Sequence, residues 1–205
     1  MEATAEARRA HAHDPQRPEP LLTLSAAALV GGWPDQAVPL LRQLLAAYPY
    51  DMNALGNLGL ALRALGREAE ALGAFRAVER IAPTDPVARY SSGELLERQG
   101  KLSEALEEYR LAVRYGQSNP AYYHAWGVAA MRLGQTAEAR EALVHAVELD
   151  PSRAASQKAL GVLLSEMLGQ RAEGARHLRR ALELDPADPD AARIRQILSP
   201  DLPPL

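Results

Sequence analysis

The sequence predicts an all-α fold in which helical hairpins follow one another in tandem, and two series of glycines carry this prediction. In the first series the glycines recur every 34 residues, at Gly59, Gly93, Gly127 and Gly161. The second series keeps the same spacing at Gly32, Gly66, Gly100 and Gly134, and Gly169 follows after 35 residues. A fixed period of this length is typical of repeat architectures, in which each unit buries its apolar face only against its neighbours.

The period divides the chain into five units, each with two apolar-periodic segments joined by a turn that contains glycine. The units are 18–51, 52–85, 86–119, 120–153 and 154–187. Prolines close four of them, at Pro49, Pro83, Pro151 and Pro186. One residue is inserted between Gly161 and Gly169, after which the phase is recovered.

Small residues at fixed places predict close contacts between the helices. A glycine such as Gly59 lets two helices approach, at a cost of about 1 kcal/mol in helix propensity. Small residues also recur in the second segment of each unit, at Ala37, Ala71, Ala105, Ala139 and Gly174. Bulky residues four places later should fill the space between hairpins: Leu41, Phe75, Tyr109, Leu143 and Leu178. The turn glycines, such as Gly66, should adopt the left-handed conformation that ends a helix.

Two units show the pattern in most detail. The second reads Leu55-x2-Leu58-Gly59-x2-Leu62, then Ala71-x3-Phe75, then Pro83. The fourth reads Tyr123-x2-Trp126-Gly127-x2-Ala130, then Ala139-x3-Leu143, then Pro151. This pattern resembles the tetratricopeptide repeat (TPR) family, with five repeats over residues 18–187. The resemblance implies an α-solenoid that coils as a right-handed superhelix, with the first helix of each hairpin on the concave face.

The segments outside the repeats are predicted separately. The first twenty residues carry charges and three prolines, which favours a disordered leader over residues 1–17. The alternative is an extra capping helix formed by EATAEARRAHAH. Residues 188–199 place apolar side chains on one helical face and predict a helix that caps the last hairpin. The proline-rich residues 200–205 should form a flexible tail.

The composition argues against several classes of function. With 23 basic and 26 acidic residues and a net charge of −3, the chain has no basic excess for a nucleic-acid backbone. The absence of cysteine excludes disulfides, thiolate nucleophiles and cysteine metal sites. The apolar run 21–30 is too short to span a bilayer, and the repeat register assigns it to a core-facing helix rather than to a signal peptide. We therefore expect a cytoplasmic protein without direct membrane insertion, with export as the alternative.

No arrangement of residues in the sequence recommends a catalytic, cofactor or metal site. The glycines are explained by packing or turns, so no phosphate-binding loop is expected. His11 and His13 would need metal ligands from elsewhere, and His145 and His177 stand at unequal repeat places. We expect no catalysis by this chain, no cofactor and no metal.

The dominance of arginine over lysine, together with abundant alanine, suggests a bacterial source.

The TPR resemblance implies a concave groove, and repeat position selects its candidate partner-binding residues. They are Asn53, Asn57, Leu60, Arg63, Tyr90, Glu94, Glu97, Arg98, His124, Val128, Met131, Arg132, Lys158 and Val162. The same register adds Ser91, Ser165 and Glu166. Such a surface, with apolar spots and charges of both signs, suits an extended or helical peptide. A carboxylate clamp is not expected, because Leu22, Gly56 and Val87 stand where its lysines would be.

An aromatic cluster in the fourth unit allows two interpretations, a base-stacking platform or core packing. Tyr123 and Trp126 fall on the packing places of the repeat, and no basic groove accompanies them. We therefore expect these two rings in the core, with Tyr122 and His124 exposed.

These observations together predict a non-catalytic protein-interaction module, an adaptor or co-chaperone that binds a peptide segment of a partner protein in the groove. The alternative is a self-associating scaffold or assembly factor for a bacterial secretion, pilus or organelle machine, with homo-oligomers as its consequence. A third hypothesis is a regulatory subunit for an enzyme on another chain.

Overall fold

The structure is a computed structural model that describes residues 5–7, 12 and 18–199. Over residues 18–199 it consists of eleven α-helices, the ninth of which is extended by a π-helical turn. The helices are α1 Pro18–Val30, α2 Pro34–Ala47, α3 Met52–Ala64, α4 Glu68–Ile81, α5 Pro86–Arg98, α6 Leu102–Tyr115, α7 Pro120–Arg132, α8 Thr136–Leu149, α9 Ala154–Val162, α10 Arg171–Leu184 and α11 Ala191–Ile197. Of the predicted leader, residues 5–7 and 12 are helical. The predicted tail 200–205 lies outside the described residues.

Local sequence signals explain where the helices begin and end. The Asp51 and Asp85 carboxylates accept hydrogen bonds from the backbone N–H groups of Ala54 (2.8 Å) and Ala88 (2.7 Å), which caps α3 and α5. The Asn119 side chain caps α7. Each hairpin turns at a glycine with positive φ, between +66° and +76°, as predicted: Gly32, Gly66, Gly100, Gly134 and Gly169.

The chain divides into two compact units, Met1–Gln99 and Gly100–Leu205. In the first unit, each of the helices α1 to α4 packs against the next one along the chain. Their core is made of small and aliphatic side chains around one aromatic ring: Leu21, Ala28, Ala37, Val38, Leu41, Leu44, Ala54, Ala61, Leu62, Ala71, Phe75 and Leu95.

The second unit repeats this arrangement with α6 to α11. Here too, each helix contacts its successor. The large fully buried side chains of this unit include Tyr109, Leu106, Leu143, Leu160, Leu163, Leu164 and Leu178. Ala191 and Ile194 of α11 are also buried, so the predicted C-terminal helix exists and covers part of the last hairpin.

The close helix contacts predicted from the glycine series are confirmed in both units. A Cβ atom built on Gly59 would lie 2.7 Å from the Phe75 ring, and one on Gly127 would lie 2.6 Å from Leu143 Cγ. Real Cβ atoms do not approach other atoms so closely, so only glycine fits these places without repacking.

The extra residue between Gly161 and Gly169 is accommodated by the π-helical turn Leu163–Met167. A π turn closes hydrogen bonds over one more residue than an α turn, so it absorbs a single insertion without breaking the helix. Gly169 keeps the left-handed conformation of the other turn glycines, with φ of +66°. The fifth hairpin therefore keeps the turn glycine of the other hairpins, although its closing hydrogen bond, from the Gln170 N–H to the Leu164 carbonyl oxygen, spans one residue more than theirs.

None of the helices that the structure describes is both long and apolar enough to cross a membrane.

Candidate functional site

The candidate partner-binding residues lie on the first helix of successive hairpins, in both units. In the first unit, α3 and α5 carry Asn53, Asn57, Leu60, Arg63, Tyr90, Glu94, Glu97 and Arg98. In the second, α7 and α9 carry His124, Val128, Met131, Arg132, Lys158 and Val162. All fourteen keep some exposure to solvent. Ser91 and Ser165, which repeat position also placed on this surface, are buried, so that part of the prediction is wrong.

A pocket of about 270 Å³ opens in the first unit between α3, α4 and the first turn of α5. Its apolar floor includes the buried side chains of Phe75 and Val78. Met52, Leu60 and Val87 stand around it and remain exposed. Its remaining lining residues are Asn53, Gly56, Asn57, Asp85 and Ala88. Three predicted site residues, both asparagines and Leu60, therefore meet at one concavity.

Gly56 keeps this pocket open. A Cβ atom built on it would find no heavy atom within 4 Å, in contrast to Gly59 three residues later. The equivalent place in the next three repeats holds the large side chains Tyr90, His124 and Lys158. A glycine inside a helix costs about 1 kcal/mol relative to alanine, and no helix contact requires it here. Sequence reasoning used Gly56 only as evidence against a carboxylate clamp and missed the pocket.

The side-chain amides of the two asparagines beside the pocket are available to form hydrogen bonds with a ligand. Within the part of the chain that the structure describes, neither the Asn53 nor the Asn57 amide has a hydrogen-bond partner in the protein. Each amide can donate two hydrogen bonds and accept two. Peptide backbone offers the complementary groups, so a ligand strand or helix end could bond to both asparagines.

Both arginines of this surface in the first unit, Arg63 and Arg98, lie next to carboxylates. Arg63 on α3 forms an ion pair with Glu94 on α5. Arg98 lies 3.6 Å from the Glu68 carboxylate, with more than half of its side chain exposed. Arg63 and Glu94 are both partly buried, whereas the more exposed Arg98–Glu68 pair contributes about 0–1 kcal/mol, so a ligand can exchange with Arg98 at little cost.

In the second unit, His124 joins α7 to α9. Its Nδ1 lies 3.2 Å from the Ser156 hydroxyl. Burial, and then the positive charges of Arg153 and Lys158, lower the pKa of His124 to about 4. The expectation of an exposed His124 is therefore wrong: the ring is mostly covered and neutral at pH 7.

Lys158 is held by the segment that precedes the C-terminal helix. Its ammonium group lies 2.8 Å from the Asp188 carboxylate and 2.9 Å from that of Asp190. Partial desolvation lowers the pKa of Lys158, but the bonds to these two carboxylates outweigh it and raise the pKa above its ordinary value. Arg193 of α11 similarly pairs with Glu166 at 2.7 Å. In this unit, therefore, Lys158 and Glu166 form ion pairs that hold the C-terminal helix and the segment before it.

The aromatic cluster on α7 differs from its prediction at three positions. Tyr122 is buried, because it occupies the same repeat place as the buried Ala88 and Ser156. Tyr123 and Trp126 are only partly buried, with their ring centroids 6.2 Å apart. The Trp126 indole N–H donates to the Glu138 carboxylate, which Arg110 also binds at 2.6 Å. This hydrogen bonding gives the Trp126 ring a structural role at the surface.

Among the described residues, no group of three or more histidine, aspartate or glutamate side chains could hold a metal ion.

Comparisons with known proteins agree with this architecture. Two family models, each described as tetratricopeptide repeat, match residues 22–86 and 120–153. No curated protein matches the sequence at a significant level.

Several solved structures resemble most of this chain. MamA from Desulfovibrio magneticus RS-1, from residue 41 to its end, is 24% identical with a TM-score of 0.74, covering 84% of this chain and 97% of that one. YrrB, described as a TPR protein with an unusual peptide-binding site, is 17% identical with a TM-score of 0.77, covering 93% and 97%. The Cut9-Hcn1 complex of APC/C matches at 17% identity and a TM-score of 0.76, covering 97% and 39%. These likenesses show a shared fold.

Proposed function

This chain belongs to the tetratricopeptide repeat family, and we propose that it is a non-catalytic adaptor or co-chaperone that holds a peptide segment of a partner protein. The family and its fold support a protein-interaction module. The peptide would lie against the first helices of the hairpins, where all fourteen candidate side chains keep some exposure to solvent.

The observation that carries the proposal is the surface of α3 and α5. It presents exposed apolar side chains such as Leu60 and Val87 next to the unpaired amides of Asn53 and Asn57. A peptide can satisfy both features at once, since its side chains cover apolar surface while its backbone bonds to the amides. The peptide-binding site ascribed to YrrB supports the same class of ligand for a protein of this fold.

Affinity capture with a matched pair of variants tests the proposal. The groove variant combines Tyr90→Ala with Arg98→Glu on α5. The control is Arg80→Glu, a comparable charge reversal at an exposed position of α4. Wild type and both variants are used as bait in a lysate of the source organism, and mass spectrometry identifies the captured proteins. Circular dichroism and thermal unfolding verify that all three baits remain folded. A partner that wild type and control retain, but the groove variant loses, supports the adaptor function.

Equal retention by all three proteins would contradict groove binding. The interaction would then lie on the second helices, the hairpin edges or the termini. That outcome, combined with a molecular mass that rises with protein concentration, would favour the self-associating scaffold instead.

A further inference from the structure

We propose that the pocket beside Gly56 selects the peptide that this protein binds. The pocket admits one large apolar side chain of the peptide, and the residue next to that side chain in the peptide carries a positive charge. This inference rests on the proposed function and specifies the chemistry of the ligand.

The size of the pocket fits a single side chain. Its volume is about 270 Å³. A closed apolar cavity of about 150 Å³ already holds one benzene ring, whereas sites for drug-sized ligands have volumes of about 300–1,000 Å³. The pocket therefore suits one leucine, methionine or phenylalanine side chain rather than a larger ligand.

The lining selects an apolar occupant. Phe75 and Val78 form its floor, and three large apolar residues stand exposed around the opening: Met52 at 45%, Leu60 at 36% and Val87 at 55% of their full accessibility. Exposed apolar residues gathered around a concavity are typical of a binding site, whereas scattered ones are not. An apolar side chain in the pocket would remove these surfaces from water.

Gly56 indicates that the space serves a purpose other than helix packing. The helix would be more stable with a larger residue there, and the surroundings have room for one. Gly73 on α4 is a useful comparison, because a Cβ atom on it also meets nothing within 4 Å, but it does not line the pocket. Identical substitutions at the two glycines therefore separate blockage of the pocket from effects on helix stability.

The charge of the pocket lining favours a particular residue next to the apolar side chain in the peptide. Among the described lining residues, Asp85 alone is charged. One of its oxygens caps α5 through the Ala88 N–H, and within the described chain the other has no partner. Arg63, on the same helix as Gly56, is already paired with Glu94. A lysine or arginine of the peptide would therefore be attracted to Asp85, while an acidic residue would be repelled.

Selection from a random peptide display library tests the inference on the full chain. Wild type, Gly56→Leu and Gly73→Leu are immobilised, and enriched peptides are sequenced. Wild type and Gly73→Leu should enrich peptides in which leucine, methionine or phenylalanine adjoins lysine or arginine, and Gly56→Leu should not. Fluorescence anisotropy with one selected peptide should show at least about tenfold weaker binding to Gly56→Leu. Asp85→Asn retains a capping side chain and should reduce the preference for the basic residue.

The outcomes separate this inference from the function on which it rests. If Gly56→Leu binds the selected peptides as wild type does, or if acidic peptides are enriched, the pocket inference is wrong. Loss of those peptides by the Tyr90→Ala/Arg98→Glu variant would then still support peptide binding in the groove. If no peptide is enriched on wild type, both the inference and the proposed function fail. Thermal unfolding verifies that each variant is folded.

Discussion

Gly174 lies directly against Ser165: a Cβ atom built on Gly174 would stand 2.1 Å from Ser165 Oγ and 2.9 Å from the Ser165 backbone nitrogen. The preceding repeats have alanine at the place of Gly174, at Ala37, Ala71, Ala105 and Ala139. The π-helical turn accounts for the difference, because it contains Ser165 and the residue that the other repeats lack. The glycine and the insertion are therefore two parts of one local packing arrangement.

We expect Gly174→Ala to destabilise the protein by about 1–3 kcal/mol through overpacking, although alanine is the better helix former. The contacts with the Gly161 carbonyl oxygen at 2.7 Å and with the Ser165 backbone leave no flexible group that could move away. Urea unfolding of the variant measures the cost. Gly73→Ala, at an open position, should instead stabilise slightly, and equal effects at the two glycines would contradict the packing argument.

Deletion of Ser165 should restore the 34-residue period and convert the π turn to α-helix. It would also remove a buried hydroxyl that has no hydrogen-bond partner within the described structure. We therefore expect Gly174→Ala to be tolerated in the deletion background, with a coupling of about 0.5–3 kcal/mol between the two changes in urea unfolding. Additive effects would show that the insertion and Gly174 are independent.

The insertion in the fifth repeat and Gly174 show how far the sequence determines the fold. The spacing of Gly161 and Gly169 revealed that one residue was inserted, and the five hairpins followed from the period. A glycine count cannot tell whether an insertion lengthens a loop or widens a helical turn, because both restore the phase. The structure settles this through the hydrogen bonding of Leu163–Met167.

Gly127 tests the helix packing within the fourth repeat. We expect Gly127→Leu to cost on the order of 1–3 kcal/mol or more, because even a Cβ atom there would lie 2.6 Å from Leu143 and 3.2 Å from the Ala139 carbonyl oxygen. Chemical unfolding gives the free energy. Gly73→Leu, which adds the same side chain at an exposed place, is the control. A neutral Gly127→Leu would mean that these helices do not pack as described.

A buried carboxylate joins α4 to α5 in the first unit, and the repeat pattern did not indicate it. Glu79 is only 5% exposed, and its carboxylate accepts hydrogen bonds from Arg76 (2.7 Å), Arg89 (3.2 Å) and the Ser92 hydroxyl (2.5 Å). The side chains lie on two different helices, and periodicity reports which face a residue occupies rather than which partner it meets.

Glu79→Leu should destabilise by about 3–5 kcal/mol, because it removes the carboxylate from a mostly buried ion pair with Arg89. The double variant Glu79→Leu/Arg89→Met should recover most of this loss, since apolar residues of similar volume often replace a buried pair at little cost. Urea unfolding of the two single variants and the double variant gives the coupling free energy. No recovery in the double variant would indicate that Arg76 and Ser92 dominate the interaction.

Periodicity selected exposed residues of the candidate site, but it did not indicate the pocket that they line. Repeat position identifies the outward face of each first helix, and the side chains of Asn53, Asn57 and Leu60, which it selected on α3, keep exposure to solvent. It could not predict the pocket, which depends on the missing side chain of Gly56 and on three elements meeting in space. It also misplaced Tyr122, since a bulky residue stands there where the neighbouring repeats have small ones.

His124 makes the stability of the protein depend on pH. Its pKa in the folded protein is about 4, below its ordinary value of 6.5, because burial and then Arg153 and Lys158 disfavour the charged ring. The unfolded chain therefore takes up a proton at a higher pH than the folded one. The resulting stability is fully present above pH 6.5 and is lost as the pH falls towards 4. At about 1.4 kcal/mol per pKa unit, the loss is about 3 kcal/mol.

The variant His124→Gln isolates this contribution, because glutamine does not titrate and can still hydrogen-bond to Ser156. Urea unfolding of wild type and variant is measured at a series of pH values from above 6.5 to about 4, and the two free energies are subtracted at each pH. Titration of the carboxylates cancels in this difference. We expect the difference to be constant above pH 6.5 and to shift against wild type below it. A difference that does not change with pH would show that His124 is not buried in its neutral form.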